Sequence, residues 1–266
     1  MEKQAARQPH PGQTQPSLIY PLTSILEPLE PAKLFPRLQP LEVELGSGDG
    51  SFIAQYAQLR PERNFLAVER LFGRLRKIDR KGLRAGLANL RLVRIEASYL
   101  LEYLLPRESL RALHVYFPDP WPKRRHRQNR LVKSRFTELA RRVLAPGGVV
   151  YLRTDDEDYF AQMTAAFAAN TDFALAEMPA ELSRIMTDFE KVFLAKGVNT
   201  LRAAYQRRCC LNIDDRPVPV ASARTRFAAA KFDPAVAGAG DRVQHQRNQA
   251  DDKRTPESGP EIGDHK

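Results

Sequence analysis

The 266-residue chain lacks the features that mark several large classes of protein. Its only cysteines, Cys209 and Cys210, are adjacent, so they supply neither a disulfide framework nor the ligand spacing of a zinc site, and we expect no bound metal. No apolar run reaches the length of a membrane span, and the N-terminus has no apolar segment of the secretory type. We therefore expect a cytoplasmic protein that does not associate with membranes.

Tryptophan is nearly absent too, and the single one, Trp121, stands in an unusual stretch, Tyr-Phe-Pro-Asp-Pro-Trp-Pro-Lys-Arg-Arg-His-Arg at 116–127. The apolar run at 112–117 predicts a buried strand, so the prolines fall where that strand ends and a rigid loop begins. Asp119 lies between two of these prolines, at the edge where open α/β sheets bind ligands. The alternative is a proline-stiffened turn before a solvated basic helix.

A glycine-rich turn follows an alternating strand at 41–45, and a helical pattern comes directly after it. Gly46 and Gly48 would let the backbone turn tightly and approach a ligand without an intervening Cβ. The second short strand ends in Glu69, at the spacing of an acid that accepts hydrogen bonds from ribose hydroxyls. Together these features predict a nucleoside pocket. The alternative is a glycine turn with a surface glutamate.

Most of the net charge of +10 belongs to the part of the chain expected to fold. Residues 215–266 hold nine Lys/Arg against eight Asp/Glu and residues 1–17 hold two against one, which leaves +8 on 18–214. The basic run 123–130 adjoins the predicted site, which favours a polyanionic substrate. A second basic cluster at 70–84 has helical spacing and is equally consistent with a solvated helix face.

The succession of patterns predicts an α/β fold with a mostly parallel, doubly wound sheet. Strands are expected near 41–45, 65–69, 90–96, 112–117 and 149–154, and helices near 50–59, 70–87, 97–105, 130–144 and 156–169. One further strand within 201–212 would complete an antiparallel hairpin at the sheet edge. We expect disordered ends at 1–17 and 215–266, an irregular arm at 18–40 and one domain at 41–214.

Five separated motifs in this order resemble those of the bacterial tRNA (guanine-N(7)-)-methyltransferases. They are Glu44-Leu-Gly-Ser-Gly-Asp-Gly, Val68-Glu69, Phe117-Pro-Asp-Pro-Trp-Pro-Lys123, Arg153-Thr-Asp155 and Thr187-Asp-Phe-Glu190. The resemblance covers roughly 40–208. It implies a Rossmann-like class I fold and methyl transfer from S-adenosyl-L-methionine to N7 of a guanine in the variable loop of tRNA. Whether such a protein is a monomer or a homodimer stays open.

The resemblance also implies roles for particular residues. The donor-binding residues would be Glu44, Gly46, Gly48, Glu69, Glu96, Ala97 and Asp119, and the tRNA-binding residues would be Lys123, Asp155, Thr187, Asp188, Phe189 and Glu190. Two positions depart from the family pattern: Glu96 stands where the family usually has Asp, and Pro122 where it often has His. We expect Ala97 to share the contact with adenine and the loop at Pro122 to be stiffer.

Methyl transfer to N7 needs no strong base, because that nitrogen already carries an exposed lone pair, so positioning supplies most of the rate. The Asp119 carboxylate could favour the sulfonium electrostatically or accept from the guanine N1–H and N2–H edge, and we prefer a positioning role, as the catalytic residue. Trp121 could stack on the guanine or simply be a core residue. For Asp155, Thr187 and Glu190, helix capping is the alternative to substrate contact.

Three other functions share part of this pattern. An NAD-linked oxidoreductase would have the same glycine turn and acid, but the chain shows no second domain and no hydride-transfer constellation. A methyltransferase acting on an exocyclic amino group carries a superficially similar loop. A non-catalytic RNA-binding module with a vestigial donor pocket is the third, and failure to bind S-adenosyl-L-methionine would favour it.

Overall fold

The computed structural model describes residues 17–209, so the expected disordered ends and Cys210 lie outside the described residues. The strands are β1 (Leu41–Leu45), β2 (Asn64–Val68), β3 (Leu90–Val93), β4 (Leu110–Tyr116), β5 (Leu144–Thr154), β6 (Phe173–Ala176) and β7 (Leu201–Arg207). The helices are α1 (Pro31–Leu34), α2 (Ile53–Leu59), α3 (Phe72–Arg84), α4 (Ala97–Tyr99), α5 (Ser134–Val143), α6 (Glu157–Ala168), α7 (Ala180–Arg184) and α8 (Asp188–Ala195). A π-helical turn at Leu100–Leu104 extends α4, and a 3₁₀ turn covers Arg124–Asn129.

The seven strands form one sheet in the order β3-β2-β1-β4-β5-β7-β6. Strands β1 to β5 are parallel, whereas β7 runs antiparallel between β5 and β6. The predicted fold class, a mostly parallel sheet with an antiparallel edge hairpin, is therefore confirmed. The chain changes direction across the sheet between β1 and β4, which is the switch point where such sheets bind ligands.

Strand β1 is buried at all five positions, including the two glutamates that make its sequence alternate. The strand lies in the middle of the sheet with apolar clusters on both faces, so neither set of side chains reaches water. Buried carboxylates require partners or protonation. The burial of Glu42 and Glu44 is thus a feature of the fold that the alternating pattern did not indicate.

The segment before β1 packs along the edge of the sheet. Residues Ile19 and Leu92 form a parallel bridge, with Tyr20 N–H donating to the Leu92 carbonyl at 2.8 Å and Leu92 N–H donating to the Leu18 carbonyl at 2.9 Å. Leu34 and Phe35 are buried in the core. This segment therefore covers the edge strand β3, which would otherwise expose unpaired backbone groups.

Element boundaries differ from the predicted ones mainly at β5 and α4. Strand β5 begins at Leu144, directly after α5, so residues 145–148, which lie between the expected helix 130–144 and the expected strand 149–154, belong to the start of the strand. The predicted helix 97–105 is a single α turn followed by a π turn. Within residues 17–209, no helix is both long and apolar enough to cross a bilayer.

Candidate active site

A cleft of about 570 Å³ opens at the carboxyl ends of β1 to β4, at the switch point of the sheet. Its walls include predicted site residues from four different strand ends: Gly46, Glu69, Glu96, Ala97 and Asp119, together with Trp121. Parallel strands bring their carboxyl ends to one edge, which is why residues 75 positions apart in sequence share this cleft. The predicted nucleoside pocket and the Pro-Asp-Pro-Trp loop therefore form one site.

The glycine turn has two kinds of glycine. Gly46 and Gly48 have φ of +77° and +56°, and a Cβ built on either meets no atom within 4 Å among the described residues. Gly50 differs, because its Cβ would lie 2.8 Å from the Ile78 side chain of α3. Gly50 is thus needed for helix packing, whereas Gly46 and Gly48 leave open space beside the backbone. Such space suits a ligand that approaches the main chain.

Glu69 connects the glycine turn to the second strand. Its Oε2 accepts from the Gly48 N–H at 3.1 Å, and its Oε1 accepts from the Leu71 N–H at 2.8 Å. A carboxylate has about four acceptor positions, so these two bonds leave capacity for a ligand's hydroxyl groups. The contact fixes the turn relative to β2 and holds Glu69 in the wall of the cleft.

Glu44 lies beneath the turn, fully buried, and burial raises its pKa to about 8. Its Oε2 has no hydrogen-bond partner among residues 17–209. A buried carboxylate oxygen without a partner is costly unless a proton or ligand satisfies it. This orphaned acceptor stands two residues before Gly46, and the open space beside Gly46 and Gly48 fits a donor that carries a cationic amino group, as S-adenosyl-L-methionine does.

Glu96 and Ala97 form the far wall of the cleft. The Glu96 Oε2 accepts from the Tyr99 N–H at 2.8 Å and so caps α4, while the residue remains exposed. One oxygen of this longer acid is therefore engaged in capping, and the other faces solvent-accessible space. The neighbouring Ala97 is placed beside it in the same wall.

The loop after β4 is strained at both ends. Phe117 and Trp121 have φ of +50° and +44°, a region that large side chains rarely adopt. Such outliers persist where the surrounding fold holds them and are concentrated at functional sites. Between them, Asp119 is exposed in the cleft wall, and Trp121 is half-buried with its ring edge against His126. Trp121 is therefore available to a ligand and is not a core residue.

Arg130 anchors this loop from behind, although its place in the basic run 123–130 had indicated a phosphate contact. It is buried, and its Nε donates to the Pro120 carbonyl at 2.7 Å. Its other nitrogens donate to Asp158 at 2.7 Å and Gln162 at 2.9 Å on α6. Arg130 is therefore unavailable to phosphates. The exposed cations of the run are Lys123, Arg124, Arg125 and Arg127.

The motifs at 153–155 and 187–190 meet through a buried ion pair. The Arg153 guanidinium donates to Glu190 Oε2 at 2.9 Å and lies 4.2 Å from the centre of the Tyr116 ring. Arg202 donates to the other oxygen of Glu190 at 3.0 Å. Arg153 and Glu190 are both at most 2% exposed. Glu190 therefore holds the start of α8 against the end of β5.

The capping interpretation is confirmed for one motif and wrong for the other. Thr187 and Glu190 form a capping box at α8, with Thr187 Oγ1 accepting from the Glu190 N–H at 3.0 Å. At α6 the cap is Asp156, which accepts from the Tyr159 N–H at 2.6 Å, and not Thr154 or Asp155. The strand ends at Thr154 as expected, but the helix begins at Glu157, one residue later than expected, which leaves Asp155, partly buried, in the link between β5 and the cap.

An aromatic cluster joins the start of α8 to the Pro-Asp-Pro-Trp loop. The Phe117 ring lies 6.3 Å from Phe189 and 5.7 Å from Phe193. The Asp188 N–H donates to Ser51 Oγ in the glycine turn at 3.1 Å. Residues 188 and 189, both exposed, are thus brought to the mouth of the site, whereas Lys123 and Asp155 lie outside the walls of the cleft itself.

A buried polar chain also went unrecognised in the sequence. His114 lies between Glu42 Oε2, 2.9 Å from Nε2, and the Tyr116 hydroxyl, 2.8 Å from Nδ1. Burial lowers the pKa of His114. Tyr116 is only two residues along β4, whereas Glu42 stands on the neighbouring strand β1, so only the pairing of the strands identifies this second partner.

Strand β7 runs antiparallel between β5 and β6, and the glycine turn after β1 is followed by an acid at the end of β2. These two features define a class I S-adenosyl-L-methionine-dependent methyltransferase. A family model described as "Putative methyltransferase" matches residues 38–203. The class assignment and the donor predicted from the sequence are therefore confirmed.

Curated relatives narrow the class to one family. The tRNA (guanine-N(7)-)-methyltransferase of Syntrophotalea carbinolica is 42% identical over 142 residues, 53% of this chain and 61% of that protein. The enzyme of the same name from Halorhodospira halophila is 34% identical over 188 residues, 66% of this chain and 78% of that protein. The chain belongs to the tRNA (guanine-N(7)-)-methyltransferase family, as its motifs predicted.

Proposed function

We propose that this chain transfers the methyl group of S-adenosyl-L-methionine to N7 of a guanine in the variable loop of tRNA, acting in the cytoplasm as a monomer or homodimer. The observation that carries the proposal is the single cleft in which the glycine turn and Glu69 face Asp119 and Trp121. The first pair suits a nucleoside-bearing donor, and the second pair suits a flat base with hydrogen-bond donors on one edge.

The bound donor supplies an electrophilic methyl group on a sulfonium: the C–S bond breaks, its electron pair stays on sulfur, and the N7–C bond forms. The residues proposed to hold the donor are Glu44, Gly46, Gly48, Glu69, Glu96, Ala97 and Asp119. Glu69 would accept from the ribose hydroxyls with its free lone pairs, and Glu44 would accept from the amino group with its orphaned Oε2. Both tasks use acceptor positions that the described residues leave vacant.

Asp119 is proposed to hold the guanine by accepting from N1–H and N2–H, which fixes N7 in line with the sulfonium. Its carboxylate also opposes the positive charge that the guanine gains on methylation. The strained loop and the buried Arg130 restrict where this carboxylate can move. Orientation of the base, and not proton removal, is therefore the task of this residue.

We propose that the tRNA contacts lie around the mouth of the cleft, on Lys123, Asp155, Thr187, Asp188, Phe189 and Glu190. Of these, Lys123, Asp188 and Phe189 have exposed side chains that can reach RNA directly. Thr187 and Glu190 are buried and would act by holding the start of α8 in place. Support for this division of labour comes from the buried Arg153–Glu190 pair.

The test is to incubate the protein with unmodified bulk tRNA and methyl-labelled S-adenosyl-L-methionine, digest the RNA to nucleosides and identify the labelled base by mass spectrometry. We expect label in 7-methylguanosine. Label on an exocyclic amine would instead support the second methyltransferase class considered above. Donor binding without label in any tRNA nucleoside would refute the proposed reaction, and absence of donor binding would favour a non-catalytic RNA-binding module.

A further inference from the structure

The outward face of α3 carries a continuous row of cations. Its members, together called the α3 basic face, are Arg74, Arg76, Lys77, Arg80 and Arg84, with Arg70 just before the helix, and all are exposed. The buried side of the helix consists of Leu75, Ile78 and Gly82. With 3.6 residues per turn, Arg76, Lys77, Arg80 and Arg84 lie on the side of the helix opposite the packed residues, and Arg74 lies at the border between the two sides.

These cations are not neutralised within the described part of the chain. Of the basic residues on α3, only Lys81 has an acidic partner there, Asp49, at 2.6 Å. The single acid of the helix, Asp79, is turned toward the N-terminal segment, where its Oδ1 accepts from the Leu18 N–H at 2.7 Å. The α3 basic face therefore keeps its full positive charge.

A merely solvated helix face would be expected to alternate charges of opposite sign. Here Arg76 and Arg80, and Arg80 and Arg84, are like charges four residues apart, a spacing that destabilises a helix. Helices tolerate such repulsion when an external polyanion relieves it. The uniform sign of the α3 basic face thus points to a partner and not to helix stabilisation.

The position of the face relative to the cleft identifies the partner. Arg70 and Arg74 form part of the cleft wall, and the remaining cations follow α3 away from it as far as Arg84, about 15 Å along the helix from Arg74. The other basic run, at 123–127, follows β4, so the two clusters lie after the strands on either side of β1. A nucleic acid whose base enters the cleft would have its backbone beside both.

We propose that the α3 basic face is a second RNA-contacting surface that binds backbone phosphates of the same tRNA whose guanine enters the cleft. This inference rests on the proposed function for the identity of the RNA. Arginine and lysine bind phosphates whatever the sequence, so this surface contributes affinity and orientation, while the choice of base remains with the cleft.

The test compares two double variants with the same loss of charge. Arg80→Gln/Arg84→Gln removes two cations of the α3 basic face. Arg37→Gln/Arg107→Gln removes two exposed cations that precede β1 and β4, at the opposite edge of the sheet, and serves as the control. Neither pair is buried or packed in the core. The dissociation constant of a fluorescently labelled tRNA transcript is measured by anisotropy across a range of salt concentrations.

We expect Arg80→Gln/Arg84→Gln to weaken tRNA binding roughly tenfold and to reduce the slope of log K against log salt by about 1.4 to 1.8, since each phosphate contact contributes about 0.7 to 0.9. The control should match the wild type in both quantities. Equal effects of the two variants, or none from either, would overturn the inference.

Assaying 7-methylguanosine formation in parallel keeps the two proposals distinguishable. If the wild type forms 7-methylguanosine and the Arg80→Gln/Arg84→Gln variant binds tRNA normally, the proposed role of the α3 basic face is refuted and the proposed function stands. A wild type that binds tRNA and methylates no guanine refutes the proposed function, while the comparison of the two variants still decides whether α3 contacts RNA.

Discussion

Arg130 donates from Nε to the carbonyl oxygen of Pro120 at 2.7 Å, and so ties the residue next to Asp119 to helix α6. The same guanidinium donates to Asp158 and Gln162, and it lies 4.7 Å from the centre of the Tyr159 ring. Three hydrogen bonds from one planar guanidinium fix both the orientation of the loop at Pro120 and its distance from α6. Arg130 thus holds the loop that presents Asp119, although Arg130 itself does not line the cleft.

Arg130→Lys should therefore lower turnover much more than tRNA affinity. Lysine keeps the charge but cannot reproduce the planar set of bonds, and losing one bond to a charged donor costs about 1.5 to 3 kcal/mol. We expect kcat to fall by about 10-fold or more with KM for tRNA changed less than about threefold, because a small misplacement at the reacting centre affects the rate selectively.

Arg127→Lys is the matched control for this variant, since Arg127 is exposed and pairs with the same Asp158 at 3.1 Å. Its kcat should stay near the wild-type value. A kcat for Arg130→Lys equal to that of Arg127→Lys would show that the Pro120 contact does not position the loop.

Asp119→Ala is expected to lower kcat by about 100-fold or more, a size typical of a misplaced reacting group. Binding of tRNA should change little, because the phosphates supply most of the affinity. Steady-state kinetics with a tRNA transcript, together with the dissociation constant, separate the two quantities. Near-normal turnover in this variant would remove Asp119 from the catalytic role.

The raised pKa of Glu44 predicts that the stability of the donor-free protein depends on pH. Its folded pKa of about 8 lies above the ordinary 4.5, so the folded state holds a proton that the unfolded state releases between these values. The free energy of unfolding should therefore fall as the pH rises from about 4.5 to 8. Glu44→Gln should flatten this dependence and be more stable than the wild type near pH 8.

Urea denaturation at several pH values measures this effect, with the exposed Glu138→Gln as a control that should retain the wild-type dependence. An unchanged slope in Glu44→Gln would mean that Glu44 does not take up this proton on folding. Donor affinity provides a second comparison: Glu44→Gln should bind S-adenosyl-L-methionine more weakly if Oε2 accepts from its amino group.

The sequence could predict the parts of the site that lie within one continuous segment. Strand, glycine turn and acid follow one another between residues 41 and 69, and a parallel sheet then brings the strand ends together. The Asp119 loop was predictable too, because its prolines mark the end of a strand and a parallel sheet places that end beside the others.

The supporting contacts could not be predicted in this way. Arg153 and Glu190 are 37 residues apart, and Glu190 lies between the last expected helix, 156–169, and the further strand expected within 201–212. Arg130 stands in a run of cations, where its burial depends on how α6 packs against the loop. Which charge of a basic cluster turns inward is decided by tertiary packing, which local patterns do not encode.

The Arg153–Glu190 pair gives a prediction about folding stability. Glu190→Gln leaves a buried guanidinium without its carboxylate partner, which typically destabilises a protein by about 3 to 5 kcal/mol. Asp188→Asn, on the exposed first turn of the same helix, should change the free energy of unfolding by less than about 1 kcal/mol. Chemical denaturation of both variants makes the comparison. Equal stabilities would assign Glu190 to substrate contact and not to holding α8.

The most direct test of methyl transfer to N7 uses two tRNA transcripts that differ only in guanosine or 7-deazaguanosine. We expect label from S-adenosyl-L-methionine in the guanosine transcript and none in the 7-deaza transcript, which has carbon at the accepting position, although both transcripts bind with similar affinity. Equal labelling of the two transcripts would contradict methyl transfer to N7, because the methyl group would then be going to another atom.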